Sequence, residues 1–370
     1  MRYLTADYLY TLNGPPLKNG VLQISDEGEI ISIFDNQEKI KSSYIEFFDG
    51  ILCPGFVNAH CHLELSHLHE KIEKELGLLD FIMSIRKRHK FKKQIILQAI
   101  SEAESQMIKN GIVGVGDICN TLDTVFQKRK ENLTYYNFIE VFETQNFDEY
   151  KIISNAIDLR TCFRRSGMRA TITPHSPYSV SKGLMKQIDK KTDNEDYLCS
   201  IHIQESNQEN DLFKNKRGKF FDFLKQINAN PEIWKNRNKS IDILKELTTK
   251  PLLFVHNTYS KKQDIFDKYY YCTCPKANLY IENKLPDYSI FNLERLCVGT
   301  DSLASNNSLS IWEELLVIKK HTNFDIQTLL KIGCKNGAEA LGFNDLGTFE
   351  KGKKPGVNLI RTTNKIEVIA

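Results

Sequence analysis

The feature of this sequence that most clearly points to chemistry is a His-x-His pair after an apolar run. The run Ile51–Val57 leads into His60 and His62. In an extended strand, side chains two residues apart lie on the same side. Both imidazoles can therefore reach one metal ion from the end of one strand, whereas Cys61 between them faces the other way.

Other residues that can bind a metal ion or transfer protons follow later apolar runs. They are His175, His202 with Glu205 three residues on, His256 and Asp301. Each of them alone has a structural explanation: Asp301, for example, can cap a helix. Together, three histidines and a carboxylate on separate strand ends are typical of a divalent metal site that keeps one position open for water.

The elements that must position these residues are eight apolar strand-like runs that alternate with helix-like segments. The runs are Ile51–His60, Ile112–Ile118, Thr134–Phe142, Met168–Pro174, Leu198–Ile203, Leu252–His256, Tyr269–Cys274 and Arg295–Thr300. Continuous apolar runs are typical of buried parallel strands. Residues 92–109 repeat apolar side chains every three or four positions, which predicts a helix that ends at Asn110-Gly111.

Eight such units predict an α/β protein built on a (β/α)8 TIM barrel, whose active site lies at the C-terminal strand ends. An open doubly wound sheet is the alternative, but no Gly-x-Gly-x-x-Gly motif follows an early strand. Strand-like sequence at both chain ends predicts a second unit. We expect residues 1–50 and 345–370 to form a small discontinuous β-sandwich domain, and residues 51–344 to form the barrel.

Composition and charge exclude several classes of partner. The 50 basic and 47 acidic residues give a net charge of +3, which is too balanced for nucleic acid or an anionic membrane. No stretch reaches the roughly 18 apolar residues of a membrane span, and the first residues lack a signal-peptide core. The nine cysteines form no Cys-x-x-Cys pair. We expect reduced thiols and a cytoplasmic protein.

The segments that carry these residues resemble the amidohydrolase superfamily. They are Pro-Gly-Phe-Val-Asn-Ala-His60-Cys-His62, His202-x-x-Glu205, His256, Cys274-Pro-Lys-Ala-Asn278-Leu and Gly-Thr-Asp301-Ser. Within the superfamily, the similarity points to the deaminase branch, which includes aminodeoxyfutalosine, adenosylhomocysteine and guanine deaminases and related chlorohydrolases. The resemblance covers essentially the whole chain.

The resemblance implies a ligand set and catalytic roles. His60, His62, His202 and Asp301 would bind one divalent metal ion, either Zn²⁺, the usual ion of such enzymes, or Fe²⁺. Glu205 and His256 would flank the attacking water, and Asp301 would also accept its proton. Binuclear relatives carry a bridging Lys at the end of the fourth strand, and Met168–Ser181 contains none. A single ion is therefore favoured.

The function implied is that of a hydrolase acting on carbon–nitrogen bonds other than peptide bonds. It would release ammonia from an aminated heterocycle, an adenine-type nucleoside-like compound such as aminodeoxyfutalosine. A chlorohydrolase or another C–N hydrolase, resembling guanine or cytosine deaminase, would use the same hydroxide and remains an alternative. A non-catalytic scaffold barrel is least favoured, because the full ligand set and Glu205 are present.

The partner expected from these readings is a small-molecule substrate. Side chains near the strand ends are candidates to contact it, namely His175, Glu64, Glu140, Ser305 and Asn306. Each has a structural alternative, such as a salt bridge or a packing role. The resemblance makes a homodimer one option for the assembly.

Overall fold

A computed structural model of the chain contains fifteen strands among the residues it describes. These residues are 1–36, 40–41, 44–85, 90–143, 148–191, 198–235, 237–245, 251–363 and 365–370. The strands are β1 (Arg2–Leu9), β2 (Leu17–Lys18), β3 (Val21–Ile24), β4 (Ile30–Phe34), β5 (Ile45–Pro54), β6 (Phe56–Cys61), β7 (Ile112–Cys119), β8 (Thr134–Val141), β9 (Arg169–Pro174), β10 (Cys199–Ile203), β11 (Leu252–His256), β12 (Tyr270–Thr273), β13 (Leu296–Val298), β14 (Val357–Ile360) and β15 (Ile366–Val368).

The α-helices lie mainly between the strands from β6 onward. They are α1 (Leu78–Ile85), α2 (Lys93–Lys109), α3 (Val125–Lys128), α4 (Glu149–Arg165), α5 (Lys182–Lys191), α6 (Asn207–Asn210), α7 (Lys219–Gln226), α8 (Glu232–Lys235), α9 (Pro275–Glu282), α10 (Ile311–His321), α11 (Ile326–Leu330) and α12 (Asn336–Leu341). Short 3₁₀ turns include Leu63–Leu68 and Ser240–Lys245. No helix in the described ranges is long and apolar enough to cross a membrane.

Strands from both chain ends form one seven-stranded mixed sheet. The order is β15-β14-β5-β1-β3-β4, and β2 pairs with β1. β14 runs antiparallel to β5, with Leu359 opposite Leu52. Both side chains are fully buried and belong to this sheet's own apolar core. β5 extends to Pro54, past the boundary expected at residue 50, and the division into two domains stays a prediction.

The eight predicted barrel strands are all present, which confirms the TIM-barrel fold. β6 to β9 form one parallel sheet and β10 to β13 form another. Main-chain hydrogen bonds join the two sheets on both sides. The N–H of His202 donates to the carbonyl of His175 (3.0 Å), and the N–H of Asp301 donates to the carbonyl of His60 (3.1 Å). The barrel therefore closes at residues predicted for the site.

The first predicted run, Ile51–His60, is two strands rather than one. Its first part belongs to β5 in the terminal sheet, and its second part is β6 of the barrel. The chain changes sheets at Gly55, where a Cβ would lie 2.4 Å from Val113 Cγ1 and 2.7 Å from the Pro355 carbonyl. The apolar pattern continues through this break because both sheets bury their strands.

The helix predicted over 92–109 is confirmed as α2. It turns its apolar side chains Ile100, Ala103 and Met107 into the main core. Gly111, at φ +74°, ends it and donates its N–H to the carbonyl of Ile108 (2.9 Å), as expected for a left-handed C-terminal cap.

An apolar cluster ties together the loops that follow the barrel strands. Helices α6 to α8 lie in the long connection after β10, and side chains from this connection pack with those from other loops. The buried members include Leu65, Phe81, Tyr178, Phe213, Phe220, Ile233, Trp234 and Ala304. The mouth of the barrel therefore has a core of its own, which holds the site residues in fixed loops.

Candidate metal centre

Five predicted site residues lie at strand ends on one side of the barrel. His60 is in β6 and His62 follows that strand directly, while His202 and His256 lie at the ends of β10 and β11. Asp301 follows β13 and forms a parallel bridge with Cys61. Because parallel strands of a barrel all end on the same face, these side chains converge.

The ligand atoms of four of these residues are separated by distances that suit one metal ion. His62 Nε2 lies 3.1 Å from His60 Nε2 and 3.2 Å from His202 Nε2. Asp301 Oδ1 lies 3.4 Å from His62 Nε2 and 3.7 Å from His60 Nε2. Ligands about 2.0–2.1 Å from a tetrahedral ion are about 3.3 Å apart. The donor set therefore fits a divalent ion at its centre.

The protonation states of the histidines agree with this fit. Burial lowers the pKa of His62 to about 3 and lowers the pKa values of His60 and His202 as well. His202 Nδ1 lies 2.8 Å from the carbonyl oxygen of His175, so this nitrogen carries the hydrogen of the neutral ring. Its Nε2 then presents a lone pair toward the other ligands. Ring nitrogens that converge at about 3 Å can present their lone pairs to one cation between them.

The carboxylate of Asp301 is held in its charged form. Burial alone would raise its pKa, but the hydrogen bond with His60 and the nearby His62 and His256 lower it below its usual range. Its second oxygen, Oδ2, accepts a 2.5 Å hydrogen bond from Ser305 Oγ. Asp301 has φ +55°, a left-handed conformation that is uncommon for a residue other than glycine.

A glycine allows the last strand to approach His60. A Cβ on Gly299 would lie 2.6 Å from the carbonyl oxygen of His60 and 2.7 Å from the backbone nitrogen of His60. Asn58 fixes the same contact, because its Oδ1 accepts from the N–H of Thr300 (3.0 Å) and its Nδ2 donates to Thr300 Oγ1 (2.7 Å). The backbone around two ligands is thus set by side chains beneath the site.

Glu205 and His256 form a pair beside the four ligands. Glu205 Oε1 lies 3.5 Å from His256 Nε2, and both side chains are buried. His256 Nδ1 lies 2.8 Å from Asn278 Oδ1, which fixes the ring and leaves Nε2 facing the site. Burial, with the charges of Asp301 and Glu282, raises the pKa of Glu205 well above its usual range. This carboxyl therefore favours its protonated form.

Comparison with known proteins decides the family. The model of the amidohydrolase family matches residues 51–369. The chain belongs to the amidohydrolase family. An adenosine deaminase from Helicobacter pylori is 26% identical over 365 residues, covering 93% of this amidohydrolase and 86% of that protein.

Two solved structures share the fold. The crystal structure of Helicobacter pylori aminofutalosine deaminase in complex with methylthio-coformycin has a TM-score of 0.82 at 22% identity, covering 100% of this chain and 94% of that one. An adenosine deaminase from Xanthomonas campestris with bound zinc has a TM-score of 0.75 at 19% identity, covering 97% and 84%. At these identities the two structures show the fold of this amidohydrolase.

His175, predicted to contact substrate, lies next to the ligand cluster of this amidohydrolase. Its ring centroid is 4.9 Å from that of His202. Its Nδ1 lies 2.9 Å from the hydroxyls of both Ser176 and Ser179, which orients the ring. Burial lowers the pKa of His175 to about 4. The Nε2 of a neutral ring at this position can donate a hydrogen bond to a substrate or accept one from it.

Two predicted substrate contacts of the amidohydrolase meet at one loop. Glu64 Oε2 accepts hydrogen bonds from the N–H groups of Asn120 (3.1 Å) and Thr121 (3.0 Å) and from Thr121 Oγ1 (2.8 Å). Glu140 Oε2 accepts from Asn120 Nδ2 (3.1 Å), and its Oε1 lies 3.6 Å from His202 Nδ1. These carboxylates hold the loop after β7, and their contact with a substrate stays a prediction.

Ser305 and Asn306, the other predicted contacts, are buried beneath the site of the amidohydrolase. Ser305 bonds to Asp301, as described above. Asn306 Nδ2 donates to the carbonyl of Thr300 (2.8 Å) and to Glu314 Oε1 (2.7 Å). These bonds support the loop that carries Asp301. A direct contact of either residue with substrate stays a prediction.

A buried ion pair between the barrel strands and the surrounding helices was missed from the sequence. Lys128 Nζ lies 2.5 Å from Asp117 Oδ2, and neither side chain is exposed. Asp117 Oδ1 accepts a 2.8 Å hydrogen bond from the N–H of Leu63, the residue after His62. Burial would lower the pKa of Lys128, but the charges of Asp117 and Cys119 and the hydrogen bonds to both together outweigh it and raise the pKa. A charged residue in the apolar run Ile112–Ile118 was the available signal, since such a residue needs a buried partner.

Glu209 was missed as well, although the sequence carries a signal for it. Ser206-x-x-Glu209 is a capping-box pattern. Ser206 caps α6 by accepting from the N–H of Gln208 (3.2 Å), while Glu209 reaches back to the N–H of Gln204 (2.6 Å). This bond lies one residue before Glu205 and thus adjoins the site.

Proposed function

We propose that this amidohydrolase is a metal-dependent hydrolytic deaminase that releases ammonia from an adenine-type nucleoside. The observation that carries the proposal is the convergence of His60, His62, His202 and Asp301 beside the buried pair of Glu205 and His256. The adenosine deaminase among its relatives supports the same reaction class.

The metal proposed is one Zn²⁺ ion, held by His60, His62, His202 and Asp301. A bound divalent ion lowers the pKa of water to about 7 and so supplies hydroxide at neutral pH. Fe²⁺ suits the same ligands, and affinity order alone does not choose between them. The zinc-bound structural neighbour supports zinc. His202 also belongs to a second group of possible ligands, with Glu140 and His175. One ion is favoured because the Nδ1–H of His202 donates a hydrogen bond to the His175 carbonyl, so Nδ1 has no lone pair for an ion in that second group.

Glu205 is proposed to carry the proton that the ring needs. Attack of water on the amino-bearing ring carbon forms a C–O bond and moves an electron pair onto the adjacent ring nitrogen. The protonated Glu205 carboxyl can donate to that nitrogen, since it lies in the same opening as the ligands. Burial and the charge of Asp301 raise the pKa of Glu205, which favours the protonated form that donates.

His256 and Asp301 are proposed to handle the attacking water. Asn278 fixes His256 Nδ1, so Nε2 can accept a hydrogen bond from the water and orient it. The first proton of the water returns to Glu205 and restores its protonated carboxyl, and the carboxylate of Asp301 can take the second proton. When that proton passes to the amino group, the C–N bond breaks and ammonia leaves, which balances the reaction.

The substrate proposed is an adenine-type nucleoside-like compound such as aminodeoxyfutalosine. The likeness to an aminofutalosine deaminase in complex with methylthio-coformycin supports this choice. His175, Glu64 and Glu140 are proposed as contacts to the substrate at the rim, and Ser305 and Asn306 as contacts from the loop of Asp301.

Ammonia release tests the function. Zinc-loaded protein should release ammonia from aminodeoxyfutalosine, adenosylhomocysteine or adenosine faster than from guanine or cytosine. Glu205→Gln keeps the shape of the side chain and should retain metal while losing about 10²–10⁴-fold in kcat. Turnover of a chlorinated heterocycle without ammonia from any amino compound would favour the chlorohydrolase alternative. Full activity in Glu205→Gln would contradict the role of Glu205.

Two further assignments belong to the proposal. All nine cysteines are free, and only Cys162 is exposed, which supports a cytoplasmic location because thiols stay reduced there. A homodimer is proposed on the resemblance alone. Sedimentation at several protein concentrations tests it, and a constant monomer mass would rule it out.

A further inference from the structure

Glu209 is a fully buried carboxyl that lies directly behind the turn bearing Glu205. It belongs to α6, and none of its surface is exposed. Its Oε2 accepts hydrogen bonds from the N–H of Gln204 (2.6 Å) and from Ser240 Oγ (3.2 Å). Its Oε1 has no hydrogen-bond partner among the residues that the structure describes. A carboxyl is costly to bury, so this one marks a place where the backbone needs an acceptor.

The turn that Glu209 holds has an unusual backbone. β10 ends at Ile203, and Gln204 then adopts φ +52°, a left-handed conformation that residues other than glycine seldom adopt. The carbonyl of Gln204 accepts from the N–H of Tyr259 (2.9 Å), so this residue is fixed from two sides. Such conformations persist only where the surroundings hold them. Without Glu209, the buried N–H of Gln204 would lose its acceptor.

We propose that Glu209 is a positioning residue for Glu205. By binding the N–H of Gln204, it keeps the left-handed turn and places Glu205 Oε1 at 3.5 Å from His256 Nε2. Glu209 acts through the backbone and contacts no substrate. The inference rests on the proposed function of Glu205 as the proton carrier, and it identifies what fixes that carrier in the site.

Two conservative substitutions of Glu209 separate the effect of side-chain length from the effect of its charge. Glu209→Gln keeps the length of the side chain and an oxygen that can accept from Gln204, but loses the charge. Glu209→Asp keeps the charge but shortens the side chain by one methylene group. If Glu209 positions Glu205, kcat should fall about 10–100-fold in Glu209→Asp, since small misplacements of a reacting group cost up to about 100-fold. Glu209→Gln should keep most of the wild-type kcat.

KM and bound metal should be unchanged in Glu209→Asp, because the ligands and the substrate contacts are untouched. A merely structural role would lower the melting temperature without this selective loss of kcat. Glu104→Asp is the matched control. Glu104 is equally buried and accepts from Tyr135 (2.8 Å) and Asn132 (3.0 Å), but it lies on α2 outside the barrel. This control should lose stability and keep kcat.

Amide hydrogen exchange tests the same bond without an activity assay. In metal-free protein, the amide of Gln204 should exchange faster in Glu209→Asp than in the wild type, and at the wild-type rate in Glu209→Gln. If the wild type releases no ammonia from any nucleoside, the proposed function fails, while exchange still decides whether Glu209 holds the turn. Equal kcat in Glu209→Asp and the wild type, loss of kcat in Glu209→Gln alone, or unchanged exchange in Glu209→Asp would each overturn the proposal.

Discussion

The N–H of Asp301 donates a 3.1 Å hydrogen bond to the carbonyl oxygen of His60. The first and last strands of the barrel therefore meet at two of the four candidate ligands. Gly299 permits the approach because it lacks a Cβ, and Asn58 bonds across it to Thr300. Closing the barrel and assembling the candidate metal centre are thus the same structural event.

Ser305 provides a test of how Asp301 is held. Removing its hydroxyl in Ser305→Ala takes away the bond to Asp301 Oδ2. Loss of such a partner typically weakens metal affinity about 10–100-fold. We expect the dissociation constant for zinc, measured by competition with a chromogenic chelator, to rise by that factor.

Ser308→Ala is the control for this prediction, since Ser308 lies in the same loop and bonds to Glu313 rather than Asp301. It should bind zinc as the wild type does. Unchanged zinc affinity in Ser305→Ala would contradict the role of Ser305 in holding Asp301, whereas a raised KM at saturating zinc would support the proposed substrate contact.

The ion pair of Lys128 and Asp117 should be important for stability. Lys128→Met leaves the carboxylate of Asp117 buried without its cation, which typically costs about 3–5 kcal/mol. Denaturant unfolding should show this loss in the free energy of unfolding. Adding Asp117→Asn should recover part of it, because the amide oxygen can still accept from the N–H of Leu63.

An exposed pair gives the comparison. Lys354 lies 3.3 Å from Glu27, with side chains 50% and 82% exposed, so Lys354→Met should cost no more than about 1 kcal/mol. Equal losses in Lys128→Met and Lys354→Met would mean that the buried pair is not needed.

Glu314 should make stability depend on pH. Its side chain is fully buried. Burial is the main cause that raises the pKa of Glu314 from 4.5 to about 8. Between these values the folded protein binds a proton that the unfolded chain has released. The contribution of Glu314 is therefore greatest below about pH 4.5 and falls as pH rises to about 8, by at most about 5 kcal/mol.

Glu314→Gln removes this pH dependence. The difference in unfolding free energy between Glu314→Gln and the wild type should therefore change steadily between about pH 4.5 and about pH 8. Glu313→Gln is the neighbouring control. Burial would raise the pKa of Glu313, but the bonds from Lys276 and Ser308 and the charge of Lys276 together lower it, so the difference for Glu313→Gln should be flat above about pH 4.5. A flat difference for Glu314→Gln would refute the shift assigned to Glu314.

The sequence predicted the barrel and the placement of its ligands because both follow from one local pattern. Each apolar run buries a parallel strand, and a polar residue at its end reaches the mouth, as His202 and His256 do. The same pattern misled at Ile51–His60, where two strands of different sheets are equally apolar. Only packing against Val113 and Pro355 reveals the break at Gly55.

Residues that hold other residues in place through buried ion pairs and hydrogen bonds were harder to predict. Asp117 and Lys128 are eleven positions apart, and no periodicity shows that a lysine from α3 packs against the helix-facing side of the barrel strands. Glu64 lies two residues after His62, yet its bonds go to the loop after β7. Such pairings depend on how loops fold over the strand ends, which single-residue chemistry does not specify.

Titration of metal-free protein with zinc, with the rate of ammonia release from aminodeoxyfutalosine as the readout, tests the central claim most directly. The four converging ligands predict a rate that rises linearly and stops rising at one equivalent of zinc per chain. A rise that continues to two equivalents would contradict the single-ion centre. No ammonia at any zinc concentration, with this substrate or with adenosine and adenosylhomocysteine, would contradict the proposed deaminase.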